Sequence, residues 1–182
     1  MRIIRGRNKG KILNAPKNLP IRPTTDMAKE GIFNILENHF EWDSIMALDL
    51  FCGSGNISFE LASRRCHNIT SVDSHPNCIR HINKISKELE YNEIQTVLAD
   101  AMVYLSRQKI KWDFIFADPP YDFNNYKELI FKSIERLENN GIFILEHGGN
   151  NNFHEYENLK STRKYGSVRV SVFQKSSISS NS

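Results

Sequence analysis

The sequence predicts an α/β chain with a doubly wound, mostly parallel sheet of seven strands, a C-terminal antiparallel hairpin and a small N-terminal extension. Three observations carry that prediction. Strand-like apolar runs alternate with helical periodicities five times between residues 45 and 146, the pattern of a parallel sheet with helices on both faces. The first run, Ile45-Met46-Ala47-Leu48-Asp49-Leu50-Phe51, is apolar at nearly every position, as a strand buried on both faces requires. Near the end, two runs are separated only by Tyr165-Gly166-Ser167, a gap that antiparallel strands can bridge and parallel strands cannot.

The elements follow in order. Residues 2–22 hold Gly6, Gly10, Pro16 and Pro20 among short apolar patches, so a small hairpin or irregular extension is expected. Asp26 can cap a helix over 27–39, with Ala28, Ile32, Ile35 and Leu36 on one face. The strand over 45–51 leads through a glycine turn into a helix over 57–65. A short strand over 69–72 precedes a helix over 76–91, where Ile79, Ile82, Ile85 and Leu89 recur at helical spacing. A strand over 95–99 and a helix over 101–106 come next, then a strand over 112–117, a helix over 126–137 and a fifth strand over 141–146. Residues 159–164 and 168–174 form the closing pair, and the tail SSISSNS is expected to be disordered.

The length of 182 residues fits one domain, and 40% hydrophobic with 25% charged residues places the chain among soluble globular proteins. No apolar run approaches the roughly 18 residues of a membrane helix. The N-terminus, MRIIRGRNKGK, lacks an apolar core of secretory length. Cys52, Cys66 and Cys78 are odd in number and form no C-x-x-C pair, which argues for a reduced, cytoplasmic protein without a metal cluster. His39, His67, His75, His81 and His154 show no metal-ligand spacing, and no metal is expected. The net charge of +3 hides an asymmetry: residues 1–25 hold Arg2, Arg5, Arg7, Lys9, Lys11, Lys17 and Arg22 and no acid. The remaining 17 basic and 21 acidic residues give the body a net charge of −4. A basic arm on a mildly acidic body suggests a polyanionic partner; a solvated charged terminus is the plainer alternative. The expected organisation is a basic extension over 1–25, one catalytic domain over 26–175 and the tail over 176–182, with the chain a monomer.

Doubly wound sheets bind ligands beyond the carboxyl ends of their central strands. The first such end reads Leu48-Asp49-Leu50-Phe51-Cys52-Gly53-Ser54-Gly55-Asn56. Gly53 and Gly55 let the chain turn tightly and bare its backbone, and the next helix offers free N–H groups. Asp49 lies inside the apolar strand, where a carboxylate needs a positive or hydrogen-bonding partner. Asp73, before Ser74, ends the second strand and can bind both hydroxyls of a ribose. Asp100, before Ala101, ends the third and can accept from an adenine amine. Helix capping explains any one of these acids well and all three less well. A dinucleotide is the rival ligand, but Ser58 stands where its fingerprint wants Gly or Ala, and Asp49 would face a pyrophosphate unfavourably. S-adenosylmethionine suits the acids better, with an ammonium, a ribose, an adenine and no phosphate. Cys52 beside the glycines invites a nucleophilic reading, but no histidine stands in a partner motif, so it reads as a small packing residue. Glu146-His147 ends the fifth strand and is placed to border a substrate.

The second site motif is Trp112-Asp113-Phe114-Ile115-Phe116-Ala117-Asp118-Pro119-Pro120-Tyr121. Two prolines fix their own φ and push the preceding residues into extended conformations, so a buried strand ends in a stiff corner carrying free carbonyls, one carboxylate and one aromatic face. That corner suits a flat, polar object. An exocyclic amine is a poor nucleophile because its lone pair is delocalised into the ring. Acceptors at its N–H groups, here the Asp118 carboxylate and the Pro119 carbonyl, favour a pyramidal nitrogen, while Tyr121 can stack on the base for about 1–3 kcal/mol. The base must be unpaired or flipped to enter. With the glycine turn, the residues alone point to a nitrogen methyltransferase acting on a planar amine through orientation and electrostatics.

Asp49-x-Phe51-x-Gly53-x-Gly55 resembles motif I of class I S-adenosylmethionine-dependent methyltransferases, a Rossmann-like class. Asp118-Pro119-Pro120-Tyr121 resembles the D/N-P-P-Y/F motif of enzymes that methylate exocyclic or amide nitrogens. Arg2-Ile3-Ile4-x-Gly6 and Arg22-Pro23-Thr24-Thr25-Asp26, before a helix with Glu30 and Phe33-Asn34, narrow the resemblance to the RsmD family of bacterial 16S rRNA guanine-N2 methyltransferases. It covers roughly residues 1–175. One departure is Met27-Ala28-Lys29-Glu30, where the family often carries Arg-Val-Arg-Glu. The resemblance implies methyl transfer from S-adenosylmethionine to N2 of one guanine in 16S rRNA, within the small subunit or an assembly intermediate. It implies Asp118, Pro119, Pro120 and Tyr121 at the reacting base. The cofactor would meet Asp49, Phe51, Cys52, Gly53, Ser54, Gly55, Asn56, Asp73, Ser74, Asp100 and Ala101, and RNA would meet Arg2, Arg5, Arg7, Lys9, Lys11, Arg22, Thr24 and Thr25. A DNA adenine-N6 methyltransferase is an alternative, weakened by the lack of a sizeable target-recognition insertion. A non-catalytic RNA-binding assembly factor is another, weakened by intact Asp49, Gly53, Gly55, Asp73 and Asp118.

Overall fold

The computed structural model describes residues 1–15, 25–149 and 151–176. Seven strands form one sheet in the order β3-β2-β1-β4-β5-β7-β6. The strands are β1 (Met46–Leu50), β2 (Asn68–Asp73), β3 (Ile94–Leu98), β4 (Trp112–Ala117), β5 (Leu137–Gly148), β6 (Leu159–Tyr165) and β7 (Val168–Gln174). The helices are α1 (Asp26–Leu36), α2 (Asn56–Ser63), α3 (Pro76–Leu89), α4 (Ala101–Arg107) and α5 (Tyr126–Glu135), with a 3₁₀ turn over Trp42–Ser44. The first five strands pair in parallel, and β7 enters antiparallel between β5 and β6. This is the doubly wound fold with a C-terminal hairpin that the alternation predicts.

The order places the site. From β1 the chain winds outward through β2 and β3, then returns to lay β4 on the other side of β1. The crevice between the ends of β1 and β4 is therefore the topological switch point, where open α/β sheets bind ligands. One face of the sheet, with Ala47, Phe114, Phe116, Ile142, Ile144 and Val170, packs under α1, α2 and α3. The opposite face, with Leu48, Leu50, Ile115, Phe143 and Leu145, packs under α4 and α5. Alternation along fully buried strands divides the core this way.

Three local readings change. The cap of α1 is Thr25, not Asp26: the Thr25 Oγ1 accepts the Ala28 N–H at 3.1 Å, and Asp26 is the first helical residue. β5 begins at Leu137, earlier than its apolar run, because polar Glu138 to Asn140 are carried past a register shift opposite Trp112 and Phe114. α1 ends at Leu36 rather than at residue 39. The expected tail over 176–182 lies outside the described residues apart from Ser176, and Lys17, Arg22 and Thr24 lie outside them too.

The N-terminal segment is a small hairpin bound to the body. Arg2 and Ile12 bridge antiparallel, and Ile3 and Leu13 bury with 1% and 4% exposure in the core under α1 and α2. Gly6, at φ +88°, lets the turn reach α2: a Cβ there would lie 1.8 Å from the Ser63 carbonyl oxygen. The Arg7 N–H donates to that same carbonyl at 2.9 Å.

Candidate functional site

A cavity of about 460 Å³ opens at the switch point. Its walls come from the turn after β1, the ends of β2, β4 and β5, the start of β7, and Asp100 before α4. It brings together the glycine turn, Asp49, Asp73, Ser74, Asp100 and the whole Asp118-Pro119-Pro120-Tyr121 corner. Asp49 and Tyr121, about seventy residues apart in sequence, meet in one pocket because β1 and β4 are neighbours. Gly55 lies in the turn and Ala101 beside Asp100, but neither lines the cavity.

The turn owes its shape to left-handed backbone. Phe51, Gly53 and Gly55 have φ of 55°, 52° and 79°. At Gly55 a Cβ would stand 2.8 Å from the Phe59 ring and 2.9 Å from the Ile82 side chain, so glycine also lets the turn pack on α2 and α3. Asp73 holds the turn from the adjacent strand: its Oδ2 accepts the Gly53 N–H at 2.8 Å and its Oδ1 accepts the His75 N–H at 2.8 Å. Each carboxylate oxygen has a second lone pair, so the two backbone bonds aim the group without exhausting it.

Asp49 is 1% exposed. Its Oδ2 accepts from both the backbone N–H and the hydroxyl of Ser58, and the Ser58 hydroxyl lies 2.7 Å from that of Ser71. Ser58, the residue that spoils a dinucleotide fingerprint, thus anchors the strand acid. Burial pushes the Asp49 carboxyl up to about 7, with the Ser58 bonds pulling down and the nearby Asp73 charge adding to the rise. Asp100 does act as a helix cap, its Oδ1 accepting the Val103 N–H at 2.9 Å while it faces the cavity. Burial, then the Asp49 and Asp73 charges, push the Cys52 thiol well up, which suits a packing residue and not a thiolate nucleophile.

The proline corner turns back on itself through the Phe123 N–H, which donates to the Pro120 carbonyl at 3.0 Å. Phe123 stands edge-on between Phe51 and Tyr126, with ring centroids 5.6 and 5.2 Å away. These rings tie the corner to the glycine turn and back its wall. Tyr121 is 71% exposed and lines the cavity. At the end of β5, His147 is fixed: its Nδ1 lies 2.9 Å from the Gly148 carbonyl and its Nε2 2.8 Å from the Ser171 hydroxyl. A carbonyl only accepts, so Nδ1 carries the hydrogen and Nε2 accepts from Ser171. Burial holds the ring below the usual imidazole range.

The basic segment is engaged with the body. Arg5 pairs with Glu37 at 2.8 Å, Arg2 with Asp26 at 3.6 Å, and Arg7 pairs with Glu93 while its guanidinium sits 4.4 Å over the Tyr91 ring. Lys9 and Lys11 are exposed and make no ion pair among the described residues.

Sequence reasoning missed a buried polar knot that joins this segment to the cavity. Lys29 is 1% exposed; its ammonium donates to the Asn56 Oδ1 at 2.8 Å and the Arg2 carbonyl at 2.6 Å, and lies 3.5 Å from Glu60. Glu60, fully buried, accepts the Ile4 and Arg5 N–H groups at 2.8 and 3.0 Å and the Arg64 Nε at 3.0 Å. Burial draws the Lys29 ammonium down against the opposing pull of Glu60. Asn56 lines the cavity, so Lys29 links the hairpin to the cavity wall. The signal was present: Lys29 falls on the Ala28-Ile32-Phe33-Leu36 stripe, where a charge requires a partner.

Comparison with known proteins places the chain in a family. The family described as Conserved hypothetical protein 95 matches residues 1–174. The Bacillus subtilis protein YlbH is 33% identical over 96% of this chain and 99% of its own length. Ribosomal RNA small subunit methyltransferase D of Escherichia coli K12 is 30% identical over 78% of this chain and 68% of its own. Among solved structures, Escherichia coli yhhF superposes with a TM-score of 0.83 at 24% identity, covering 98% of this chain and 99% of that one.

Proposed function

Because the chain belongs to the RsmD family of class I S-adenosylmethionine-dependent methyltransferases, we propose that it methylates the exocyclic N2 of one guanine in 16S rRNA. The observation that carries this reading is the single cavity shared by the glycine turn and the Asp118-Pro119-Pro120-Tyr121 corner. The names of the curated relatives support ribosomal RNA as the substrate, and the acceptor-rich corner supports an amine nitrogen as the methylated atom.

The cavity residues suit the cofactor. Asp49 offers a buried carboxylate to an ammonium, Asp73 keeps two aimed oxygens for ribose hydroxyls, and Asp100 lies at the far wall for an adenine amine. S-adenosylmethionine, when bound, supplies an electrophilic methyl group on positively charged sulfur. The protein supplies the rest. The Asp118 carboxylate and the Pro119 carbonyl accept from the amine and stabilise the positive charge that grows on nitrogen as its lone pair is used. The prolines keep those acceptors from moving, and Tyr121 holds the base plane. Lys9 and Lys11, exposed on the hairpin, supply phosphate contacts that set register more than base identity.

Mass analysis of 16S rRNA nucleosides from a strain lacking the gene tests the proposal. One N2-methylguanosine should disappear, return with the wild-type gene, and stay absent with Asp118→Ala. Unchanged 16S rRNA together with a loss of N6-methyladenine from DNA would overturn it.

A further inference from the structure

The neighbouring parallel strands β4 and β5 bring a second carboxylate to the reacting corner. Their register pairs Phe116 with Ile144 and Ala117 with Leu145. One residue beyond the last of these pairs, Asp118 begins the corner just past the end of β4, while Glu146 continues β5 on the sheet face of Ile144, because side chains alternate along a strand. Both line the cavity. Glu146 is 4% exposed and follows Phe143, Ile144 and Leu145, so it is a carboxylate held at the apolar end of a central strand. Its next neighbour His147, which also lines the cavity, has both ring nitrogens committed to Ser171 and Gly148.

We infer that Glu146 is the specificity-determining residue for the base, its carboxylate accepting the N1–H of the target guanine beside Asp118. The inference rests on the guanine-N2 reading above and adds how that base is chosen. The edge of guanine that carries N2 presents three hydrogens, one on N1 and two on the amine. Adenine, and any purine whose N1 lacks hydrogen, presents a lone pair there instead. The corner supplies three matching acceptors: the Asp118 carboxylate, the Pro119 carbonyl and the Glu146 carboxylate. An N1 lone pair brought against the Glu146 oxygens would leave two acceptors facing each other at a carboxylate only 4% exposed. Sites built to hydrogen-bond a substrate N–H reject analogues that lack it far more strongly than apolar pockets reject a change in size.

The test uses the full-length protein and small subunits from a strain lacking the gene. The methylated position carries either guanine or 2,6-diaminopurine, which keeps the 2-amine and lacks the N1 hydrogen. Wild type should prefer guanine in kcat/KM by at least about a hundredfold. Glu146→Gln, whose amide can donate to a bare N1, should lower that preference at least tenfold, with S-adenosylmethionine affinity by calorimetry within threefold of wild type. Equal use of both bases by wild type overturns the inference whether or not the variant folds. A folded Glu146→Gln with unchanged preference overturns it as well, as does one that loses both substrates equally. Failure of wild type to methylate guanine at all, with transfer to another base, would instead defeat the function on which the inference rests.

Discussion

Lowering the pH from 7.5 to 5 should weaken S-adenosylmethionine binding through one residue, Asp49. Its carboxyl is pushed up to about 7 by burial, and the ligand that suits it carries an ammonium. If binding requires the ionised carboxylate, only about one molecule in ten is competent at pH 6 and one in a hundred at pH 5. Affinity should therefore fall about tenfold by pH 6, or about 1.4 kcal/mol, and close to a hundredfold by pH 5. Binding at pH 6 should release nearly one proton, which calorimetry in two buffers of different ionisation enthalpy will read directly. The same group affects the unliganded fold. Its native pKa lies above the 3.8 of the free side chain, so the stability it contributes is full below about pH 4 and is lost as pH rises to about 7. That loss is on the order of 4 kcal/mol. Asp49→Asn keeps an oxygen for the Ser58 donors and removes the charge. It should unfold at higher denaturant than wild type at pH 8, the gap closing below pH 4, while losing the pH dependence of binding. An affinity constant between pH 5 and 7.5 with no proton released, or a variant no more stable than wild type at pH 8, would refute the reasoning.

Three further outcomes are expected. Lys29→Ala leaves Glu60 with Arg64 as its remaining cation and removes the buried donor to Asn56 and the Arg2 carbonyl, and should cost about 1–3 kcal/mol by urea unfolding, with faster hydrogen exchange at the Ile4 and Arg5 amides. Asp118→Ala should abolish methyl transfer while leaving cofactor affinity within about tenfold, separating acceptor chemistry from binding in single-turnover and calorimetric measurements. Replacing Lys9 and Lys11 together with Ala should flatten the log–log salt dependence of RNA binding by about 1.4, from roughly 0.7 counterions for each of two contacts, whereas Arg5→Ala and Arg7→Ala should act first on thermal stability because those side chains are paired with Glu37 and Glu93.

The element order could be read from the chain because periodicity is local. Alternating apolar runs and helical spacings report which face of each element is buried, and a glycine turn or a double proline writes its conformation into adjacent residues. Motif I and the Asp118 corner were legible for that reason. Boundaries were less so. Thr25 and Asp26 are both good caps, and only the backbone of α1 chooses between them.

The sequence by itself determined a doubly wound sheet, the two site motifs and a basic N-terminal segment. Only the tertiary structure decided how those parts meet. Arg5 and Glu37 are 32 residues apart and Arg7 and Glu93 are 86 apart, so nothing local announces that those two arginines pair with the body. The Lys29 knot draws on α1, α2 and the hairpin at once. Glu146 and Asp118 reach one cavity because β4 and β5 pair in one register, and a slip of one residue would turn the Glu146 carboxylate to the other face. A side chain's spacing tells which way it faces; its partner depends on which distant strand the sheet order sets beside it.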